Sequence, residues 1–192
     1  MSTDLISLLS ARRGHFRLES GHHGELWLDL ELLFARPAAV RPFALTLAEW
    51  ISRYDVDLVC GPLIEGAFVG LTVAEALDLE FAYTERQEIH AGGLYPVTYR
   101  LPGAWRERVR GKRVAIVNDV INAGSAVRGT YTDLLADGAR PVVVGTLLTL
   151  GELFAPMIAG WKISLESVAT LPNALWPPAE CPLCRSGVPL PG

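Results

Sequence analysis

The sequence predicts an α/β fold in which a mostly parallel central sheet is flanked by helices on both faces. Short, near-continuously apolar runs at 56–60, 81–84, 114–117 and 141–150 suit strands buried on both faces. The segments that alternate with them, 37–54, 66–77 and 125–137, have helical spacing or composition. Strands alternating with helices of about 10 to 15 residues form βαβ units, whose sheets bind ligands at the carboxyl ends of their strands.

Taken in order, residues 1–15 (MSTDLISLLSARRGH) place Asp4 ahead of a very short apolar patch with no small-residue cleavage site after it. They read as a first amphipathic helix rather than a signal peptide. Residues 1–36 precede the alternating pattern and contain the polar turn Ser20-Gly21-His22-His23-Gly24, then Leu26-Trp27-Leu28, which suits an accessory hood. The helix over 37–54 carries Val40, Phe43, Ala44, Leu47, Trp50 and Ile51 on its apolar spacing, and the strand after it stops at Gly61-Pro62. Residues 86–111 hold a Gly-Gly pair, two prolines and mixed charge, the composition of a mobile loop or hairpin. Gly138 ends the helix over 125–137. The proline-rich residues 172–192 form a docked or loose tail, and 1–192 is read as one domain.

Composition narrows the function. With 192 residues, half of them hydrophobic and a fifth charged, the chain suits a globular protein, and no apolar run approaches the roughly 20 residues of a membrane span. The net charge of −4 argues against a nucleic-acid surface. Three cysteines are too few and too odd a set for a disulfide framework and point to a reducing cytoplasm. Cys181 and Cys184 form a single CxxC, half of a zinc ribbon, and read as structural or idle thiols, the alternative being a metal that needs two further ligands from a partner chain. His22 and His23 are expected to be exposed loop histidines pointing apart. Trp50, Trp105, Trp161 and Trp176 are scattered in the manner of core or tail anchors.

The sharpest chemical feature is Val114 to Arg128, VAIVNDVINAGSAVR, where an apolar strand runs into Asn118-Asp119 and then into small residues that open a helix. Free amides at a helix start and the helix dipole favour a phosphate, and small side chains let the backbone approach it. Asp119 is then placed to accept hydrogen bonds from the hydroxyls of an attached sugar. The competing reading is that Asp119 and Asn122 merely cap the helix.

This segment resembles the phosphoribosyl-diphosphate signature of the type I phosphoribosyltransferases, and Ala123-Gly124-Ser125-Ala126-Val127-Arg128 is especially similar to the orotate branch. Ser20-Gly21 with Leu26-Trp27-Leu28-Asp29 resembles that branch's hood, 57–66 its pyrophosphate loop, 81–88 the strand into its catalytic loop, and Cys181-Pro182-Leu183-Cys184 with Gly187-Val188-Pro189-Leu190 the tail of some bacterial members. The resemblance implies transfer of ribose 5-phosphate from phosphoribosyl diphosphate to a small nitrogenous base, with release of pyrophosphate, in a cytoplasmic homodimer. It places Asp119, Arg86 and His90 in catalysis, and Asn118, Asp119, Asn122, Ala123, Gly124, Ser125, Ala126, Glu65 and Gly66 around phosphoribosyl diphosphate. Trp27 and Asn122 fall at the base. Mg2+ is expected through the substrate, with no metal held by the protein itself.

The sequence departs from that pattern at five places. The acidic pair is Asn118-Asp119, Glu19 stands where lysine is usual, Glu65 where glycine or lysine is, and the loop after Arg86 (Gln87 to Gly93) has no lysine, leaving His90 as its candidate. Leu150 stands where an arginine pairs the orotate carboxylate, a bidentate contact it cannot make. The expectation is therefore a transferase for a base other than orotate. The alternatives are a non-catalytic regulatory protein that binds phosphoribosyl diphosphate or a nucleotide, or an orotate enzyme whose missing basic groups come from elsewhere.

Overall fold

The computed structural model describes residues 5–88 and 93–190. The chain opens with a single 3-10 turn at Leu5–Leu8 and then an antiparallel pair, β1 (Ser10–Arg17) and β2 (His23–Asp29). The amphipathic helix expected at the N-terminus is therefore not formed in the described residues. Arg12-Arg13-Gly14 gives no apolar stripe for a helix to bury, whereas β1 pairs its backbone with β2 from Ser10↔Asp29 to Arg17↔His23. Gly21, at φ 79°, makes the turn between them.

The parallel sheet follows. Helix α1 (Pro37–Ile51) begins on a proline and buries Val40, Ala44, Leu47, Ala48 and Ile51, a stripe at the expected spacing. Then come β3 (Leu58–Pro62), α2 (Glu65–Leu77) and β4 (Glu80–Glu88). The segment expected as a loop or hairpin is a hairpin at its base: β5 (Val97–Arg100) pairs antiparallel with β4, followed by the short α3 (Gly103–Arg106). The remaining elements of the sheet are β6 (Arg113–Ile121), α4 (Ser125–Ala136), β7 (Arg140–Leu150), α5 (Ala155–Trp161) and β8 (Ser164–Leu171). The six strands lie in the order β5-β4-β3-β6-β7-β8, all parallel except β5.

Strand periodicity explains the two-faced core. Val59, Ala115 and Val117 pack with α1 and α2, while Leu58, Cys60, Val114 and Ile116 face the cluster of α4 and α5 around Val127, Leu134 and Ile158. Alternate residues thus feed opposite helical layers, as a sheet covered on both sides requires. Burial pushes the Cys60 thiol far above its usual range, which makes it a packing group rather than a nucleophile.

One buried carboxylate fixes the hairpin to the core. Asp133 of α4 is 1% exposed and accepts bonds from Arg100 Nη1 and the Leu101 amide, each at 2.6 Å. Asp133→Ala strands a buried backbone donor and removes a charge-assisted pair, so it is expected to lower stability by about 2–4 kcal/mol. Urea unfolding with an unchanged m value checks this, and a loss under 1 kcal/mol would show that the hairpin does not depend on it.

The tail is docked. Strand β9 (Leu175–Trp176) pairs antiparallel with β2, and α6 (Pro182–Arg185) follows a single 3-10 turn. His22 and His23, expected to be exposed, are 4% and 6% exposed. They do point apart: His22 Nδ1 bonds the Ser20 hydroxyl at 3.0 Å and its ring meets Tyr95, whereas His23 turns toward His15. Burial comes from the tail and the Tyr95 turn closing over a hairpin whose own sequence is polar. No helix among the described residues is long and apolar enough to cross a membrane.

Candidate active site

The chain reverses its direction of growth across the sheet between β3 and β6. After β3 it adds β4 on one side, and only later β6 on the other. The carboxyl ends of two such neighbours splay their loops apart and leave a crevice. A cavity of about 550 Å3 lies there. Its floor is the loop after β3 (Pro62, Leu63, Ile64 and Gly66) and the end of β6 with its loop (Asn118 to Val120, Asn122 to Ala126), and the hood strand β2 supplies Leu26 to Asp29.

Both helices that follow these strands start at the cavity. Neither α2 nor α4 has a side-chain cap among the described residues. Asp119 and Asn122 do not cap the helix: Asn122 Oδ1 accepts from Asn173 Nδ2 at 3.2 Å, and the N-cap position of α4 is Gly124, in the left-handed region. Free amides at a helix N-terminus favour an anion, and two such N-termini open on this one crevice.

Close packing dictates the residue types. A Cβ on Gly124 would strike the Phe154 ring, one on Gly66 would strike Asn118 Oδ1, and one on Gly61 would lie 2.7 Å from the Gly66 carbonyl. Asn118 is buried and donates from Nδ2 to the Val120 carbonyl at 2.9 Å. Asp119 is 5% exposed and lines the cavity, and its backbone carbonyl accepts from Thr146 Oγ1 at 2.9 Å.

The hood brings Glu19 and Trp27 to the same space. Glu19 accepts from Arg86 Nε at 2.9 Å and from the Tyr99 hydroxyl at 3.2 Å. Arg86 also bonds Glu88 at 3.1 Å and does not itself line the cavity. Burial, and then the charge of Glu19, push the Tyr99 phenol well above its usual range, so it remains a donor. Leu150, at the end of β7, is buried against the cavity. His90 and the side chain of Glu65 lie outside the described residues.

Three site residues had no place in the sequence reading. Tyr99 lines the cavity from β5, and the alternation Val97-Thr98-Tyr99-Arg100 was the signal for that strand. Tyr95 donates through its hydroxyl to the Ala123 carbonyl at 3.2 Å and stacks under the Arg128 guanidinium at 4.8 Å, while its amide bonds the Ser20 carbonyl at 2.7 Å. It thereby joins the Ser20 turn to the loop that precedes α4. Arg12 lines the cavity from β1, a strand too exposed to show a pattern. Both lysines of the chain are remote in the topology: Lys112 directly precedes β6 and Lys162 precedes β8, at the amino ends of the sheet.

This fold, with a crevice at the switch point, is that of the type I phosphoribosyltransferases. It is similar to adenine phosphoribosyltransferase from Trypanosoma brucei in complex with AMP, pyrophosphate and ribose 5-phosphate, with a TM-score of 0.68 and 14% identity over 86% of this chain and 77% of that one. The sequence is 31% identical over 183 residues to the orotate phosphoribosyltransferase of Heliobacterium modesticaldum, covering 92% of this chain and 86% of the relative. It is 28% identical over 178 residues to the orotate phosphoribosyltransferase of Caldanaerobacter subterraneus, covering 93% and 87%. No protein-family model matches the sequence. The chain belongs to the orotate phosphoribosyltransferase family.

Proposed function

We propose that this protein transfers ribose 5-phosphate from phosphoribosyl diphosphate to a small nitrogenous base without a carboxylate, as a cytoplasmic homodimer. The observation that carries the reading is the pair of uncapped helix N-termini in one crevice beside the buried Asp119. The start of α4, with Asn122 to Ala126, would hold the 5-phosphate, and the start of α2, with Gly66, the diphosphate. Asp119 between them would accept from the ribose hydroxyls. The base nitrogen would attack the anomeric carbon as its bond to diphosphate breaks, so positioning and neutralisation of the leaving group carry the rate.

Leu150 decides against orotate in this reading. It sets a hydrocarbon at the end of β7, where a planar anion needs a fork of donors. Trp27 and Leu63 complete an apolar cover suited to a neutral ring. Magnesium suits the cavity, whose lining offers the carboxylates of Glu19, Asp29, Glu31 and Asp119, hard oxygen donors, beside Arg12 and the Tyr99 hydroxyl, with no imidazole or thiol among the described residues. Bound with the diphosphate, the ion would supply positive charge to the leaving group. Arg86 is engaged by Glu19 and would reach the diphosphate only by leaving it.

A second reading, binding without turnover, is favoured by one observation: both lysines lie at the opposite end of the sheet, so neither can serve the diphosphate within this chain. Calorimetric titration of phosphoribosyl diphosphate with magnesium, followed by pyrophosphate release against a panel of bases, separates the readings. Binding with release driven by a base lacking a carboxylate is expected. Binding without release from any base would establish the second reading, release driven by orotate would overturn the role given to Leu150, and no binding would overturn both.

A further inference from the structure

We propose that His15, His23, Cys181 and Cys184 form a tetrahedral Cys2His2 zinc site that fastens the C-terminal tail to the hood. In the sequence the CxxC reads as a pair of structural or idle thiols, two ligands short of a metal site. The fold supplies them from the same chain, through β1 and β2. The four ligand atoms all lie within 4.8 Å of one another. His15 Nε2 is 3.0 Å from His23 Nδ1, 3.5 Å from Cys181 Sγ and 3.7 Å from Cys184 Sγ, and Cys184 Sγ is 3.2 Å from His23 Nδ1. Tetrahedral zinc with its usual bond lengths has edges of about 3.3 Å between nitrogens and about 3.6 Å between nitrogen and sulfur. The cluster is already near that size.

The imidazole orientation agrees. His15 Nδ1 lies 2.8 Å from the Val188 carbonyl, which can only accept, so Nδ1 carries the proton and Nε2 turns its lone pair into the cluster. A backbone carbonyl on the far ring nitrogen is the usual outer partner of a metal-bound histidine. His15, His23 and Cys181 are buried and Cys184 is exposed, which closes the site on three sides and leaves an entry path. Two thiolates and two neutral imidazoles suit zinc in charge, softness and coordination number, and leave no position open for catalysis.

The site has a structural consequence at the cavity. Residues 24–29 of β2 follow directly from His23, and Trp27 and Asp29 line the crevice. Apart from the two-residue pairing of β9, the described tail is only short helical turns and loop. A metal bond between His15, His23 and the CxxC would therefore hold the hood hairpin in one position over the site.

The test uses the full chain, reduced with a phosphine and stripped with a chelator. Zinc titration is expected to give one ion per chain with submicromolar affinity and a raised Tm. Cobalt in its place should give the intense visible bands of a tetrahedral site together with thiolate charge transfer. Cys184→Ser, at the exposed ligand, should keep the fold and weaken zinc binding at least 100-fold, and His15→Gln should do the same from the hood side. Absence of binding by the reduced chain, an octahedral cobalt spectrum, or affinity unchanged in both variants would each overturn the site.

Discussion

Asp119→Asn is expected to reduce kcat/KM for phosphoribosyl diphosphate about 100- to 1000-fold while leaving the unfolding transition in place. The substitution keeps the volume of a side chain that is 5% exposed at the end of β6, so packing around it is undisturbed. What changes is the charge and one acceptor. A carboxylate that accepts from two ribose hydroxyls makes two charge-assisted bonds of about 1.5–3 kcal/mol each. An amide keeps one acceptor and turns a donor toward a hydroxyl. The carboxylate also offsets positive charge developing at the anomeric carbon, so part of the loss should fall on kcat. Steady-state kinetics with the best base, together with calorimetry, checks both parts. A change under threefold would remove Asp119 from the site.

Gly124→Ala is expected to cost about 2–5 kcal/mol of stability and most of the phosphate affinity. Gly124 holds φ at 78°, where a side chain costs about 1–2 kcal/mol, and its Cβ would enter the Phe154 ring, an overpacking cost of about 1–3 kcal/mol. Relief requires the loop or Phe154 to move. Movement of the loop displaces the amides at the start of α4, so binding and stability should fall together. Pairing the substitution with Phe154→Leu should recover part of the steric cost but none of the backbone cost. Urea unfolding of the single and double variants reads that coupling. Additive losses would show that the ring contact does not matter.

Legibility of the fold followed burial. Strands buried on both faces, β3, β6 and β7, announced themselves as apolar runs, and the helices over them as apolar stripes. The elements that sequence reading missed are half-buried or exposed. The hood strand β1 is read as a helix because its side chains are mostly solvated and its stability comes from backbone pairing, which leaves no trace in composition. β8 is an edge strand with only intermediate burial.

The βαβ order, the small-residue loop at 118–126 and the departures at Glu19, Asn118 and Leu150 are legible in the sequence alone. Each is a local property, since period, turn chemistry and side-chain type are carried by neighbouring residues. Tertiary packing alone sets Asn122 against Asn173 rather than on a helix cap, engages Arg86 with Glu19, and brings Tyr95 and Tyr99 to the site. It alone brought His15 and His23 to Cys181 and Cys184, across 166 positions of chain between the first histidine and the first cysteine. Contacts at that separation depend on how a hairpin and a tail dock against each other, and no short-range pattern of residues encodes the docking.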